Sequence, residues 1–390
     1  MFEAAPRPGG HAHTVEVVVD GQAMAVDTGF LVYNERTYPG LVRLFSELGV
    51  ATQPSDMSFS VSDEASGLQY GGPTVDAVLA QRRNLANPAF LRLLVDVARF
   101  HGAGRRLLAQ DSADDLTVDA FLARGRWSDA FVRWFLVPLG ASLWSADPST
   151  FGQMPAKTML RFLDRHGMLS FGDKPVWRTV TGGAVHYVDA VLAPLRAAGR
   201  VHLGTAVEEV VRADGSVVVQ AGGQRQRFDH VVVATHSDQA LALLADPTPA
   251  EKEILGAIRY QPNQATLHTD ARLLPSERRA WASWNYDRPK VPARRVTMTY
   301  YLNRLQSLPT TTPVLVTLNR DDEIDPTRVL GRFEYAHPVF DTVAVAAQRR
   351  HGEISNRQGI SFCGAYWGAG FHEDGLQSAL SVCRALGVTW

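Results

Sequence analysis

The chain has 390 residues, of which 45% are hydrophobic and 20% are charged, and its formal net charge is −1. This composition is typical of a folded globular protein, and the length suggests two domains, with one interrupting the other. The sequence contains no basic run and no apolar run of about 18 residues, which argues against a nucleic-acid partner and against a transmembrane helix. Peripheral contact with a membrane stays open.

The cysteine and histidine patterns give no sign of a metal site. Cys363 and Cys383 have no metal-ligand spacing, so we expect buried, reduced thiols, which fit a reducing compartment. His11 and His13 lie two residues apart and lack two further ligands, so we expect no metal. No signal peptide is visible, and we therefore expect a cytoplasmic protein.

The N-terminal part of the chain alternates between strand and helix signals. Residues 15–19 and 23–27, joined by Asp20 and Gly21, predict a β-hairpin. An amphipathic helix is expected over 38–48, with Gly49 as its C-cap. Two further strands are predicted at 57–62 and 67–70.

Helical periodicity dominates from residue 74 to about residue 171. Leu91, Leu93, Leu94 and Val97 are expected to form one apolar face, and Asp115 is a candidate helix start. Trp127, Trp134, Phe135 and Trp144 could line an apolar tunnel, although ordinary core packing is the simpler interpretation. The predicted helices cover 75–83, 87–101, 103–110, 116–124 and 127–143.

The next segment returns to a strand–turn–helix pattern. The run VWRTVTGG at 176–183 ends in Gly182 and Gly183, and a helix is expected from about Ala184 to Ala198. Lys174 just before it is expected to be a surface lysine, and His236 a cap or structural donor. Strands are predicted at 201–204, 206–212, 216–221 and 227–234.

The last third of the chain is expected to begin with β-structure and to end in a helix. Trp281 and Trp284 would face opposite sides of one strand, and His337 with Pro338 would start a turn. A short helix is expected over 342–351. The predicted strands cover 264–269, 281–286, 295–302 and 314–318.

A glycine-rich turn follows the final strand. The run SFCGAYWGAGFHEDGL at 361–376 reads as a short strand, a turn and a helix that begins near Glu373 and runs to Leu386. Gly364, Gly368 and Gly370 permit close approach of the backbone to a ligand. The helix start offers free N–H groups and a positive dipole end, which suit an anion or a polar ring edge.

The two ends of the chain together carry a family resemblance. The N-terminal MFEAAPRPGG places Glu3 before an Arg-x-Gly-Gly turn. With the C-terminal run, it resembles the FAD-binding flavoproteins that include amine oxidases, phytoene desaturases and protoporphyrinogen oxidase. The most similar branch is that of bacterial predicted NAD/FAD-binding proteins related to flavin amine oxidases. The resemblance covers nearly the whole chain and rests on GGHAHT, VDTGFLVYN, WRTVTGG, WASWNY and CGAYWGAGFHEDGL.

The resemblance implies an α/β fold, with an FAD/NAD(P)-binding Rossmann-like domain and an inserted substrate domain of mixed β-sheet plus helices. The glycine fingerprint G-x-G-x-x-G, expected about 20 residues before Glu3, is not in this sequence, so we expect an N-terminally truncated nucleotide domain. The implied division is 1–73 (partial FAD-binding domain and start of the substrate domain), 74–171 (helical lobe on the substrate side), 172–259 (FAD-binding domain), 260–340 (substrate-domain sheet) and 341–390 (C-terminal FAD-binding segment).

The resemblance also implies where ligands bind. The substrate would meet Asn34, Trp284 and Tyr286, and no catalytic residue can be assigned. The cofactor would be FAD, held by Glu3, Arg7, Gly9, Gly10, His11, Thr14, Gly182, Gly183, Val207, Gly364, Ala365, Tyr366, Gly370, Glu373, Asp374, Gly375 and Leu376.

The implied chemistry is a two-electron oxidation, in which a hydride passes from a C–H bond of an apolar or amine substrate to flavin N5. The motifs contain few acid–base or nucleophilic groups, which agrees with a cofactor that carries the redox step. The aromatic character of the candidate substrate residues favours a small, apolar substrate. One alternative is a truncated, non-catalytic remnant or scaffold that does not retain FAD, and another is an isomerase that uses flavin without net redox.

Overall fold

The computed structural model describes residues 1–72, 74–110, 116–172, 174–291 and 293–390. Asp115, the candidate helix start, lies outside these residues. The strands are β1 (Thr14–Val19), β2 (Gln22–Asp27), β3 (Tyr33–Asn34), β4 (Thr52–Pro54), β5 (Phe59–Asp63), β6 (Leu68–Gly72), β7 (Trp177–Val180), β8 (Val207–Ala213), β9 (Ser216–Ala221), β10 (Gln224–Phe228), β11 (Val231–Val233), β12 (Arg259–His268), β13 (Trp284–Arg288), β14 (Met298–Tyr301), β15 (Leu315–Leu318), β16 (Val329–Val339) and β17 (Ile360–Phe362).

Helices pack around these strands. The α-helices are α1 (Pro39–Leu48), α2 (Val75–Val78), α3 (Pro88–Leu108), α4 (Val118–Gly125), α5 (Asp129–Phe131), α6 (Val137–Trp144), α7 (Ala156–Arg165), α8 (Val185–Ala197), α9 (Ser237–Leu243), α10 (Pro249–Gly256), α11 (Leu302–Leu305), α12 (Thr342–Gln348), α13 (His351–Ile354) and α14 (His372–Ala385). A π-helical turn spans Val132–Leu136, and 3₁₀ turns span Arg82–Ala86, Phe151–Gln153, Ala271–Leu273, Arg278–Ala280, Asp321–Glu323, Pro326–Arg328 and Ala365–Trp367. Within the described residues, no helix is both long and apolar enough to span a bilayer.

The largest layer is a seven-stranded sheet with the strand order β16-β12-β15-β14-β13-β5-β6. Neighbouring strands are antiparallel except β5 and β13, which run parallel. The predicted strands at 264–269 and 314–318 are confirmed in this sheet, and the one at 295–302 is a strand only over Met298–Tyr301. Trp281 precedes β13, so the prediction that it shares a strand with Trp284 was wrong.

The predicted turn at His337 and Pro338 was also wrong. Both residues lie inside β16, which pairs with β12 over nearly its whole length. Proline has no N–H to donate to a neighbouring strand, and it is tolerated in edge strands for that reason. Since β16 is at the edge of the sheet, Pro338 does not end the strand.

Two parallel pairings outside the large sheet involve the N-terminal residues and β17, respectively. The first residues run beside 202–205, with the Glu3 amide 2.9 Å from the His202 carbonyl and a parallel bridge between Phe2 and His202. In the second pair, β11 runs parallel to β17. The predicted strand over 227–234 was wrong as one unit, because Phe228 ends a hairpin with β9 while Val231 starts the pairing with β17.

Two helix predictions in the helical lobe need correction. The stretches 87–101 and 103–110 form a single helix, α3. Its buried side chains include Phe90, Leu93, Phe100 and Leu107, whereas Leu91 is 43% exposed and Leu94 is 37% exposed. Of the four apolar residues chosen from the sequence, Leu91 and Leu94 therefore do not face the core, because the core-facing stripe follows the helical spacing that starts at Phe90.

The helix α7 was not predicted, and it fills the core of the helical lobe with Met159, Leu160 and Leu163. Trp127 and Phe135 pack against this core, and Trp134 packs in the core beneath the large sheet. Both cysteines are free thiols, and Cys363 is buried as expected, but Cys383 is only half-buried.

Several turns and helix ends that local sequence signals predicted are confirmed. The β1–β2 hairpin turns at Asp20 and Gly21, both with positive φ. The helix α1 ends at Gly49 in the left-handed conformation, and α8 follows Gly182 and Gly183 as predicted. Leu376 of α14 packs with α1 in a small core that includes Tyr38, Leu41 and Phe45.

Candidate active site

A cleft with about 1100 Å³ of unfilled space, counting its open mouth, lies between the large sheet, the helical lobe and the final glycine turn. The segment 28–32 after β2 forms part of its lining, and residues of α6 and α7 form another part. The lining residues are His11, Thr28, Gly29, Phe30, Leu31, Val32, Tyr38, Met57, Ser142, Leu143, Trp144, Ser145, Phe162, Trp177, Trp284, Tyr300, Leu318, Tyr335, His337, Pro338, Phe340, Gly370, Phe371 and His372.

The lining carries no formal charge. It includes no Asp, Glu, Lys or Arg side chain from the described part of the chain. Burial, with smaller contributions from neighbouring histidines and, for His11, from Arg7, lowers the pKa of His11 to about 4 and the pKa of His337 to about 3. Burial also lowers the pKa of His372 to about 3. All three imidazoles are therefore neutral near pH 7, and the cleft is aromatic, apolar and uncharged.

The two chain ends meet at this cleft. His11, which follows the Gly9-Gly10 turn, lines the same space as Gly370, Phe371 and His372. The His372 ring stacks on Phe30 with centroids 3.7 Å apart, and its Nε2 lies 2.6 Å from the Tyr187 hydroxyl. The structure thus brings together two terminal motifs that are more than 350 residues apart in the sequence.

The final glycine turn directs the first residues of α14 to the cleft. Gly370 has φ +93°, and a Cβ there would lie 3.0 Å from Cε2 of Phe340. The Phe371 amide donates to Oδ2 of Asp374 at 3.0 Å, which caps the helix. In the part of the chain that the structure describes, no acceptor is recorded for the amides of His372 and Glu373. Two donors at a positive helix end are therefore free for a ligand.

The acidic side chains of the same motif are engaged elsewhere. The Glu373 carboxylate accepts the amides of Gly40 and Leu41, each at 3.0 Å, and so caps α1. Burial raises the pKa of Asp374, whose carboxylate accepts the Phe371 amide. Both carboxylates thus connect α14 to its surroundings by hydrogen bonds.

The backbone amides that follow the turn at Gly182 and Gly183 are hydrogen-bonded within the protein. Oδ1 of Asp27 lies 2.9 Å from the Ala184 amide, and Oγ1 of Thr14 lies 2.9 Å from the Val185 amide. The positive φ of Gly183 and the lack of a Cβ let Thr14 approach, because a Cβ there would be 2.5 Å from Cγ2 of Thr14. The N–H groups after Gly182 and Gly183 therefore point at the protein's own side chains.

The remaining predicted cofactor residues do not line the cleft. The Glu3 carboxylate accepts the Ala5 amide at 2.9 Å, and the Arg7 guanidinium lies 3.4 Å from the Pro8 carbonyl. Val207 packs on the core beneath β8. Gly364 donates its amide to Ser378 Oγ at 3.0 Å, Ala365 and Tyr366 form the short turn that follows, and Gly375 lies against Ala365.

Only one of the three predicted substrate residues lines the cleft. Trp284 does so, packs edge-on against Tyr300 and has a buried Nε1 with no recorded partner. Asn34 is buried at the end of β3, where its Oδ1 accepts the Arg36 and Thr37 amides at 3.1 and 2.9 Å. Tyr286 is buried in the core of the sheet.

Sequence reasoning missed several lining residues. Phe162 comes from the unpredicted α7, and His337 comes from the unpredicted β16. His372 was within the recognised C-terminal motif and could have been singled out there. No cluster of three or more potential metal ligands occurs among the described residues.

Known proteins resemble this chain in sequence pattern and in fold. The model of a family described as flavin containing amine oxidoreductase matches residues 1–387. No curated protein sequence matches the chain. Solved structures match it over 99% of its length, at identities that bear on the fold alone.

Three of these structures illustrate the likeness. A cyclohexylamine oxidase from Brevibacterium oxydans has 16% identity and a TM-score of 0.67, with 93% of its chain covered. A CLA-producing fatty acid isomerase from P. acnes has 16% identity and a TM-score of 0.69, with 92% covered. A cofactor-binding variant of putrescine oxidase has 14% identity and a TM-score of 0.65, with 93% covered. The mixed α/β fold of these proteins is therefore the fold of this chain.

Proposed function

Because this chain belongs to the family of flavin-containing amine oxidoreductases, we propose that it is an FAD-dependent oxidoreductase that transfers a hydride from a C–H bond of an uncharged, largely apolar substrate to FAD. The observation that carries the substrate part of this proposal is the uncharged aromatic cleft. An ammonium group in that cleft would be desolvated without a carboxylate to balance it, which is costly.

The residues at the cleft fit the flavin part of the cofactor. The free amide of His372, which lines the cleft, and that of the adjacent Glu373 would donate to acceptor atoms of the ring or its side chain. The buried, unpartnered Nε1 of Trp284 is a further donor with no protein acceptor recorded among the described residues. When bound, FAD supplies the two-electron acceptor.

The protein's own contribution is binding, orientation and exclusion of water. Trp144, Phe162, Trp177 and Trp284 would hold an apolar substrate by contact area, since each buried aromatic side chain contributes a large hydrophobic surface. Excluding water also strengthens each remaining hydrogen bond in the cleft. The neutral histidines provide polar atoms without introducing a charge.

The proposal is tested by loading the purified protein with FAD and measuring the flavin absorption bands, the stoichiometry and turnover. We expect one FAD per chain and turnover with neutral unsaturated fatty acid methyl esters rather than with cyclohexylamine or putrescine. Peroxide release under air, compared with dye reduction without oxygen, distinguishes an oxidase from a dehydrogenase. A protein that stays colourless and binds no added FAD would support the alternative of a non-catalytic scaffold.

A further inference from the structure

We propose that His337 anchors a bound ligand: it is a neutral imidazole held with Nε2–H as the donor toward the cleft, and it takes a hydrogen-bond acceptor of that ligand. The acceptor is a carbonyl oxygen or an unprotonated sp² nitrogen, which both the flavin ring and an ester substrate possess. The inference rests on the proposed function only for the choice of the flavin and an ester substrate as the two ligands.

The argument begins at Asn319, whose amide orientation is fixed by two backbone groups. Its Oδ1 accepts the Gln264 amide at 3.0 Å, and its Nδ2 donates to the Val296 carbonyl at 2.8 Å. A backbone N–H can only donate and a carbonyl can only accept, so the oxygen and nitrogen of Asn319 cannot be exchanged.

Asn319 in turn fixes Asn263, which is fully buried in β12. Nδ2 of Asn319 donates to Oδ1 of Asn263 at 2.8 Å. The Nδ2 of Asn263 then donates to the Ser145 carbonyl at 3.2 Å. Both neighbours require the same assignment of the Asn263 amide, and its nitrogen therefore faces His337.

The protonation of His337 follows from this contact. Nδ2 of Asn263 lies 3.2 Å from Nδ1 of His337. Because the amide nitrogen can only donate, Nδ1 must be the acceptor, and the proton of the neutral ring is on Nε2. Asn263 lies opposite Tyr335 in the β12–β16 register, so His337 is its diagonal neighbour on the same face of the sheet.

The Nε2–H group has no acceptor in the described protein. His337 lines the cleft, and the one hydrogen bond recorded for its ring is the bond to Asn263. The nearest polar ring is His11, with centroids 5.3 Å apart, and no hydrogen bond joins the two. The titratable groups that face it are thus His11 and, beyond it, His236, whose ring lies 6.1 Å from that of His11.

A fixed donor selects between classes of ligand. A ligand carbonyl or ring nitrogen can accept the Nε2 proton, whereas a protonated amine offers only donors and would oppose it. The same group that favours a neutral ester or ketone therefore disfavours an alkylammonium ion. This selection acts at Nε2 of His337, and it adds to the general cost of desolvating a charged ligand.

The tautomer is tested without FAD or turnover, by long-range proton–nitrogen NMR of protein labelled with ¹⁵N-histidine, and the His337→Gln spectrum assigns the signal. We expect a protonated Nε2 and an unprotonated Nδ1. In Asn263→Asp, a carboxylate faces Nδ1 and should move the proton to that nitrogen. A protonated Nδ1 in the unmodified protein would overturn the proposal, independently of whether the protein turns over any substrate.

The ligand is tested by titrating the protein with FAD and, separately, with methyl decanoate, following tryptophan fluorescence. His337→Phe should weaken the ligand that supplies the acceptor by about five- to tenfold, the value of one net hydrogen bond, and His337→Gln should recover part of it. A loss for FAD alone identifies the flavin as the source, and a loss for the ester alone identifies the substrate. His186→Phe, which changes an exposed imidazole on α8, is the control. Affinities for both ligands within about twofold of the unmodified protein, or no binding of either ligand, would overturn the proposal.

Discussion

Both carboxylate oxygens of Asp27 lie within hydrogen-bond distance of the Ala184 amide, at 2.9 and 3.1 Å. Asp27 ends β2 and Ala184 precedes the first residue of α8, so this contact joins the hairpin to a helix more than 150 residues away in the sequence. The segment 28–32 that forms one wall of the cleft leaves the hairpin directly after Asp27. The position of that wall therefore depends on the buried carboxyl group of Asp27.

The first prediction concerns the pH dependence of stability. Burial is the largest cause that raises the pKa of Asp27 to about 6, against the opposing hydrogen bonds from Thr14 and Ala184. The folded state then binds a proton more tightly than an unfolded chain with a carboxyl pKa of about 3.9. The free energy of unfolding should therefore fall as the pH rises from about 4 to about 6 and level off above that, by an amount on the order of 2–3 kcal/mol from this group.

The measurement is urea unfolding across this pH range for the wild type and Asp27→Asn. Other groups titrate too, so the quantity of interest is the difference between the two curves. We expect the variant to lack the slope between about pH 4 and pH 6. Parallel curves would mean that Asp27 has an ordinary pKa in the folded protein.

A second prediction separates a structural role of Glu373 from a cofactor role. Its carboxylate caps α1 through the amides of Gly40 and Leu41. Glu373→Ala should lower the free energy of unfolding by about 0.5–2 kcal/mol, the usual cost of losing a helix cap. Glu16→Ala, at an exposed position on β1, is the control. Unchanged stability together with weaker FAD binding would show that this carboxylate serves the cofactor instead.

A third prediction uses two tryptophans that are three residues apart. Trp284 lines the cleft, while Trp281 lies outside it and donates to the Pro275 carbonyl. Trp284→Phe removes part of the contact surface and should raise the Kd for a neutral apolar ligand by about fivefold, or about 1 kcal/mol. Trp281→Phe should leave that Kd unchanged. Equal effects of both substitutions would argue for a general loss of stability rather than for a role of Trp284 in the cleft.

A fourth prediction concerns the turn before α14. Gly370→Ala places a Cβ 3.0 Å from Phe340 at a backbone φ of +93°, and such strain costs about 1–3 kcal/mol. We expect this strain to shift the free amides of α14 and to weaken FAD binding, measured as the Kd of added FAD. Gly352→Ala, where no heavy atom lies within 4 Å of the new Cβ, is the matched control. Equal Kd values for the two variants would mean that the turn is not part of the cofactor site.

Much of the fold was predictable because its signals are local. The β1–β2 hairpin, the left-handed cap at Gly49 and the helices after the two glycine turns each depend on neighbouring residues. Pro338 misled the prediction because a proline ends most strands, and its tolerance here depends on β16 being at the sheet edge. Which strand forms an edge is a property of the whole sheet, and no local pattern records it.

The cleft was less predictable for a related reason. His11 and Gly370 were placed together by family resemblance, and the structure has both at the cleft. Trp144 and Phe162 come from a helical lobe in which most aromatic residues pack in the core, so their sequence context does not distinguish them. The orientation of His337 depends on Asn263 of β12 and on Asn319, which directly follows β15. Such side-chain networks become visible only in three dimensions.

The central claim is that the flavin receives electrons from a neutral apolar molecule, and anaerobic mixing of the FAD-loaded protein with two matched ligands tests it most directly. Methyl oleate and oleylamine share one apolar chain, but at about pH 7 the second carries a positive charge. We predict saturable bleaching of the flavin band with methyl oleate and little or none with oleylamine. Bleaching by oleylamine alone would contradict the account.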